Sequence, residues 1–424
     1  MLHKTFILFL VVTFSSLSVV GYASDTLVLN SLINEAKANN PEILAAKKRY
    51  EAAKARIPQA KSLDNPTVGI SFEKIPKGTL KLNKTMSEDR MLSISQMFPL
   101  FGKLSLKAKI ALVESQMAAS EYKSKELEIV NNVKNAYYDL FLNLKEIELN
   151  QGSLELLEAI VKVAQAKYSV GEISQEEIFK LNLEIAGLYN RIQNLEEEQS
   201  AKETKLNSLL NREPESPLGN PTLSEDTSFQ IDVNSLYLLT LENQPELQVF
   251  SYAIERNKYA KSLAKRSFFP DLMAQITQRG ISSASIGPWD LMLAFTLPLW
   301  FWTKQRYEVK EAIANLEEAK AAYQAMKNKA LAEVKDLYAK IEISKNKINL
   351  YQTNLIPILE GSINSSLAAF RSGGSDFMML LDNERMLIET KMDYYKALVD
   401  YNMNLADLER ALGLDLIISK AKAE

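Results

Sequence analysis

The sequence predicts a mainly α-helical, internally duplicated chain of long rods, interrupted by four short β-strands of membrane-crossing length. Three observations carry that prediction. Residues 103–170 contain no Pro and one Gly (Gly152), with small and apolar residues at helical spacing, so they read as one helix of about 100 Å. Asn40-Pro41-Glu42, Asn65-Pro66, Phe98-Pro99-Leu100 and Tyr168-Ser169-Val170-Gly171 return in the same order about 200 residues later, as Gln244-Pro245-Glu246, Phe269-Pro270, Leu297-Pro298-Leu299 and Phe370-Arg371-Ser372-Gly373. Each half also holds two runs of roughly nine or ten residues that alternate apolar and polar, the length of a tilted strand across a bilayer.

In chain order, residues 1–23 read as a secretory signal: Lys4, then the apolar stretches 6–12 and 17–20, then the small residues Gly21 and Ala23 before the cut. A short membrane anchor is the competing reading. Residues 24–211 form the first repeat. It opens with a helix over 32–60, jointed where Asn40 caps and Pro41 occupies the first helical position, and ending around Pro58. Strands follow at about 66–75 and 90–98. Val68, Ile70 and Phe72 share one face of the first, and Leu92 and Ile94 one face of the second. The long helix comes next. Gly171 breaks it, and a shorter helix runs from Ser174 to Asn211.

Residues 212–233, rich in Pro and acids at their start, read as a linker. The second repeat, 234–413, has strands at about 270–279 and 289–298 and is followed by a tail, 414–424. Leu272 and Ile276 mark the apolar face of its first strand; Trp289, Leu291, Leu293 and Phe295 mark that of its second. Taken alone, such hairpins fit a soluble sheet as well as a lipid-facing one. In each half, however, the helices before the strands and after the tip together match the long helix in length. Two short helices stacked end to end can therefore lie beside one long one. Four strands cannot close a barrel, and open edges are not tolerated in lipid. Three copies would supply twelve strands and twelve helical positions around a ring.

With these residues, the plan resembles the TolC family of outer-membrane efflux channels. The carrying motifs are the four repeated ones above, Gly102-Lys103, Glu172-Ile173-Ser174 and the ending Leu408-Glu409-Arg410-Ala411-Leu412-Gly413. The Pro-Leu-Phe-Gly-Lys and Pro-Leu-Trp-Phe-Trp variants look most like the heavy-metal efflux branch of CusC and CzcC. The resemblance implies a homotrimer in which α-barrel protomers, each with four strands, complete a twelve-stranded barrel in the outer membrane and a helical tunnel across the periplasm. It implies a periplasmic adaptor protein docking on the helix-turn-helix tips, represented by Tyr168, Gly171 and Ser174 and by Phe370, Gly373 and Ser375. An inner-membrane pump, of the RND or ABC type, would supply the energy.

The resemblance also implies a periplasmic entrance lined by Asp382, which a three-fold axis would turn into a ring of carboxylates favouring cations, with mutually raised pKa values. A solvated acidic helix face, shared with Glu384 and Glu389, is the alternative. The family's companion acid one turn earlier is Met379 here, and its latch arginine falls at Ser375, so Met378 and Met379 make the gate more apolar. The same methionines with Met386 and Met392 could ligate Cu(I), although core packing is the commoner role of Met on a helix.

Composition excludes several functions. A net charge of −3 without a basic, aromatic-studded stripe excludes nucleic acid as a partner. The chain has no Cys, and its one His, His3, lies in the signal, so no cofactor or high-affinity transition-metal site is expected. No nucleophile with a histidine partner and no phosphate-binding loop is present, which argues against an enzyme. The resemblance implies a passive duct exporting metal cations or small toxic molecules. A periplasmic coiled-coil scaffold, or a channel serving peptide secretion, are the competing readings.

Overall fold

The computed structural model describes residues 26–75, 78, 89–223, 225–227, 229, 231–280, 287–371 and 377–414, with the side chains of 371 and 377 excluded. The expected signal segment, Gly373, Ser375 and the tail beyond Leu414 lie outside the described residues. The first repeat comprises α1 (Leu29–Asn39), α2 (Pro41–Lys61), β1 (Thr67–Phe72), β2 (Arg90–Phe98), α3 (Lys103–Ser169) and α4 (Gln175–Leu210). The second comprises α5 (Val233–Asn243), α6 (Pro245–Arg266), β3 (Asp271–Arg279), β4 (Trp289–Thr296), α7 (Gln305–Leu350), a π turn (Tyr351–Leu355), α8 (Ile356–Arg371) and α9 (Phe377–Leu412).

Local chemistry sets the joints. Asn40 Oδ1 accepts from the Glu42 and Ile43 amides at 2.9 and 3.3 Å, while its Nδ2 donates to the Leu209 carbonyl at 2.8 Å. One residue thus starts α2 and pins it to the end of α4. Pro58 lies within the last turn of α2, which runs on to Lys61 before stopping. β1 ends at Phe72, short of the expected residue 75, because Lys74 takes a left-handed conformation (φ 49°) and its ammonium meets Asp89 at 3.1 Å. α3 is continuous over 67 residues, about 100 Å of rod.

In the second repeat the matching rod is not continuous. Pro357 has no N–H, so the carbonyl of Thr353 loses its donor. The backbone shifts register one turn earlier, and the Ile356 N–H bonds back to Tyr351 across a π turn. One proline suffices to interrupt a rod whose counterpart in the first repeat runs without a break.

Helices sit side by side as a wall. Near the sheet the lateral order is α2, α3, α6, α7; toward the tips it is α4, α3, α9, α8. Three apolar cores lie along it. Two occupy the middle: Leu32, Ile129, Val133 and Leu206 in the first repeat, and Leu236, Val334, Ile341 and Leu408 in the second. Tyr137, 2% exposed, fastens the linker to the first by donating to the Thr222 carbonyl and accepting from its amide at 2.7 and 2.8 Å. The third core lies at the tips. The strands form one antiparallel sheet in the order β1-β2-β3-β4, so β1 and β4 are its free edges.

Candidate functional site

The sheet is two-faced by register. Directly opposed residues share a face, and Val68, Ile94, Ile276 and Leu291 stand in one row across all four strands. The next row holds Ile70, Leu92, Gln278 and Trp289, and another holds Phe98, Leu272 and Phe295. Leu293 and Phe72 belong to the same side. All eleven residues expected to face lipid therefore lie on one face, and Ile70, Trp289, Leu291, Leu293 and Phe295 are each more than half exposed. The other face carries Thr67, Ser95 and Gln275, then Gly69, Ser93, Thr277 and Asp290, with Arg279 paired to Asp290.

At the far end, α3 closes with a hydrogen-bonded reversal. Gly171 sits at φ 79°, its amide bonds the Tyr168 carbonyl at 3.0 Å, and the Glu172 amide reaches Lys167 at 3.0 Å. Ser174 and Glu177 then form a reciprocal capping box that starts α4: Glu177 Oε2 accepts from the Ser174 amide at 3.0 Å, and Ser174 Oγ accepts from the Glu177 amide at 3.4 Å. Tyr168 and Val170 are exposed there. Phe370, expected on the docking surface, is instead 3% exposed in a core with Leu157, Ile160, Leu181, Leu380 and Leu381. Its ring lies 5.2 Å from the Lys167 ammonium, which also pairs with Glu172 at 3.2 Å. Phe370 joins the two hairpins from beneath.

Asp382 is exposed on α9, as is Met379, while Met378 packs against the tip core. The three residues after Asp382 each fasten α9 to a different helix. Asn383 Nδ2 donates to Ser366 Oγ of α8 at 2.7 Å. Glu384, only 4% exposed, accepts a hydrogen bond from Ser153 of α3. Arg385 grips Glu184 of α4 with two donors, one at 3.2 Å. Burial pushes the Glu384 carboxyl above the usual carboxylate range; the Ser153 hydroxyl pulls it back, and the Glu184 charge adds to the upward shift. The Glu184 carboxylate in turn holds the Arg385 guanidinium in its charged form. These fastenings escaped sequence reasoning, in which Glu384 reads as a solvated acid. A run Asp-Asn-Glu-Arg beside a tip is the one signal that could have pointed to them.

The pattern that describes outer membrane efflux proteins matches residues 32–212 and 236–414, the two repeats themselves. The chain belongs to the outer membrane efflux protein family. It is 19% identical over 392 residues to the cobalt-zinc-cadmium resistance protein CzcC of Cupriavidus metallidurans, covering 92% of this chain and 91% of that one. Its fold is similar to that of VceC from Vibrio cholerae, with a TM-score of 0.77 at 19% identity, covering 91% of this chain and 96% of that one. It is likewise similar to that of CusC, with a TM-score of 0.78 at 17% identity and coverages of 91% and 92%. As an outer membrane efflux protein, the chain is the outer-membrane channel component of an efflux system, with its rods extending into the periplasm. The expected fold class, a duplicated α-barrel protomer carrying four barrel strands, is the one found.

Proposed function

We propose that three copies of this chain form a passive conduit, in which twelve strands close a barrel through the outer membrane and the rods enclose a periplasmic duct. The observation that carries the reading is the sheet itself. One face is dominated by Val, Ile, Leu, Phe and Trp; the other mixes Thr, Ser, Gln and the Arg279–Asp290 pair with four methionines; and among the described residues both edges are open. The helical wall supports it with two free flanks. Phe179, Leu183 and Tyr189 are exposed on α4 at one flank, and Ile343, Leu350 and Ile358 on α7 and α8 at the other. Contact between neighbouring copies in a ring would bury such exposed apolar residues.

In this reading the lipid face is the eleven-residue side of the sheet, and the Asp382 carboxylates meet around the axis as a cation-favouring constriction flanked by the exposed Met379, with Met378 set behind it against the tip core. Tyr168, Gly171 and Ser174 present the first tip to a periplasmic adaptor, Gly373 and Ser375 belong to the second, and Phe370 keeps the pair rigid. The conduit performs no catalysis, and an inner-membrane pump of the RND or ABC type drives it. Likeness to a cobalt-zinc-cadmium resistance protein favours metal cations as cargo, with small toxic molecules as the wider class.

Planar-bilayer recording tests this. The wild-type protein should insert and conduct, and Asp382→Asn should lower cation selectivity. Leu293→Arg should impair insertion, at about 2–4 kcal/mol per copy for a midplane arginine. Normal assembly of Leu293→Arg would contradict the lipid face, and unchanged selectivity in Asp382→Asn would remove Asp382 from the constriction.

A further inference from the structure

All four connections between sheet and rods cross one level of the molecule: the end of α2, the start of α3, the end of α6 and the start of α7. That level is unusually apolar on its exposed side. The turn after β4 exposes Leu299, Trp300, Phe301 and Trp302 at 63, 66, 49 and 52%. The Trp302 ring meets Phe301 and Trp300 edge-on at 4.7 and 6.5 Å, and Phe101 packs on Phe269 at 4.7 Å.

The same level is also positively charged. Lys61, Lys107, Lys265, Lys304 and Arg306 are exposed there, and none has an ion pair among the described residues. Two acids of the level are engaged, Asp271 with Lys103 at 2.8 Å and Glu308 with Ser267 Oγ at 2.8 Å, and the exposed Asp64 and Glu311 are outnumbered by the five cations. Helix dipoles account for Lys61 and Lys265, which sit at C-terminal ends. They do not account for Lys107, Lys304 and Arg306, which lie at or just inside the N-terminal ends of α3 and α7, where a dipole repels cations. An exposed aromatic layer followed by a cationic one matches the order of acyl boundary and phosphate layer at a membrane surface.

We propose that this collar binds the anionic headgroups of phospholipids in the membrane leaflet nearest the rods, with Lys107, Lys304 and Arg306 meeting phosphates and Trp300 and Trp302 seated at the acyl boundary. The proposal rests on the reading that the sheet crosses the outer membrane. Each cation removed should cost about fivefold in affinity for an anionic surface.

The test places the purified full-length channel in nanodiscs of phosphatidylcholine alone or mixed with phosphatidylglycerol, and counts retained lipids by native mass spectrometry. Wild type should retain phosphatidylglycerol over phosphatidylcholine by about tenfold or more, less at high salt. The K107Q/K304Q/R306Q variant should insert and fall to near parity, while K107R/K304R/R306R should keep the preference. As a second readout, with Trp289→Phe introduced throughout so that only Trp300 and Trp302 report, brominated phosphatidylglycerol should quench tryptophan fluorescence more strongly than brominated phosphatidylcholine, and should do so only where Lys107, Lys304 and Arg306 are kept. Parity in wild type, a preference surviving in the glutamine variant, or absent quenching because a neighbouring protomer covers the aromatics would overturn the proposal. Failure of wild type to insert in either lipid would instead strike the membrane-crossing sheet.

Discussion

The two repeats share one plan but not one set of contacts. α4 and α9 both end in a left-handed residue beside a helix joint, Asn211 at φ 58° and Gly413 at φ 74°. In the first repeat the joint is bridged by a side chain, Asn40 to Leu209. In the second the backbones close in directly: a Cβ on Gly413 would stand 2.5 Å from the Asn243 carbonyl oxygen. The long rod is unbroken in the first repeat and bulged in the second. Position within the protomer explains a further contrast. Aligning Gly171 with Gly373 sets Asn182 opposite Glu384; Asn182 is exposed on the free flank, whereas Glu384 is buried because α9 has neighbours on both sides. Duplication supplies the scaffold, and lateral position decides which copy of a residue becomes structural.

The largest expected effect that would break this contrast is at the α9 end. Gly413→Ala adds left-handed strain and a backbone clash and should cost about 3 kcal/mol in unfolding of the solubilised protein. Gly171→Ala, with open space around it, should cost about 1 kcal/mol. Equal costs would mean the two ends are held alike.

The buried carboxyl gives a pH signature. Because folding raises the Glu384 pKa, its contribution to stability is full below the unfolded value and is lost as pH rises through the folded one. Glu384→Gln keeps a hydrogen-bonding group without the charge, so it should flatten thermal midpoints measured between about pH 4 and 8. It should also stabilise the protein at the upper end of that range. An unchanged slope would place the pH dependence elsewhere. Smaller again, Pro357→Ala should let the rod anneal and slow amide exchange across 351–361 by about tenfold. Exchange as in wild type would assign the π turn to packing rather than to the missing donor.

The sequence carried what is periodic or punctuated. Proline and glycine joints, the two-residue alternation of the strands and their shared apolar face all follow from local chemistry repeated twice. What it concealed depends on lateral neighbours. Phe370 looks like an exposed tip aromatic until the first hairpin covers it, and Asn383, Glu384 and Arg385 look like an ordinary polar run. Their partners, Ser366, Ser153 and Glu184, lie on three different helices, two of them about 200 residues away in the chain. The π turn had a visible cause in Pro357, but a helix can also end or kink at proline, and only the packed rod selects the bulge.

Closure of the sheet by neighbouring copies is the claim on which the channel depends, and the absence of cysteine makes it directly testable. β1 and β4 are separated by two strands, about 14 Å, too far for a disulfide within one chain. Val68→Cys on β1 should therefore be combined in turn with Leu291→Cys, Leu293→Cys and Phe295→Cys on β4, oxidised in the membrane, and examined on denaturing gels. The account predicts that at least one pairing yields a covalent trimer. Monomer alone across every pairing, from protein correctly inserted in the outer membrane, would contradict it.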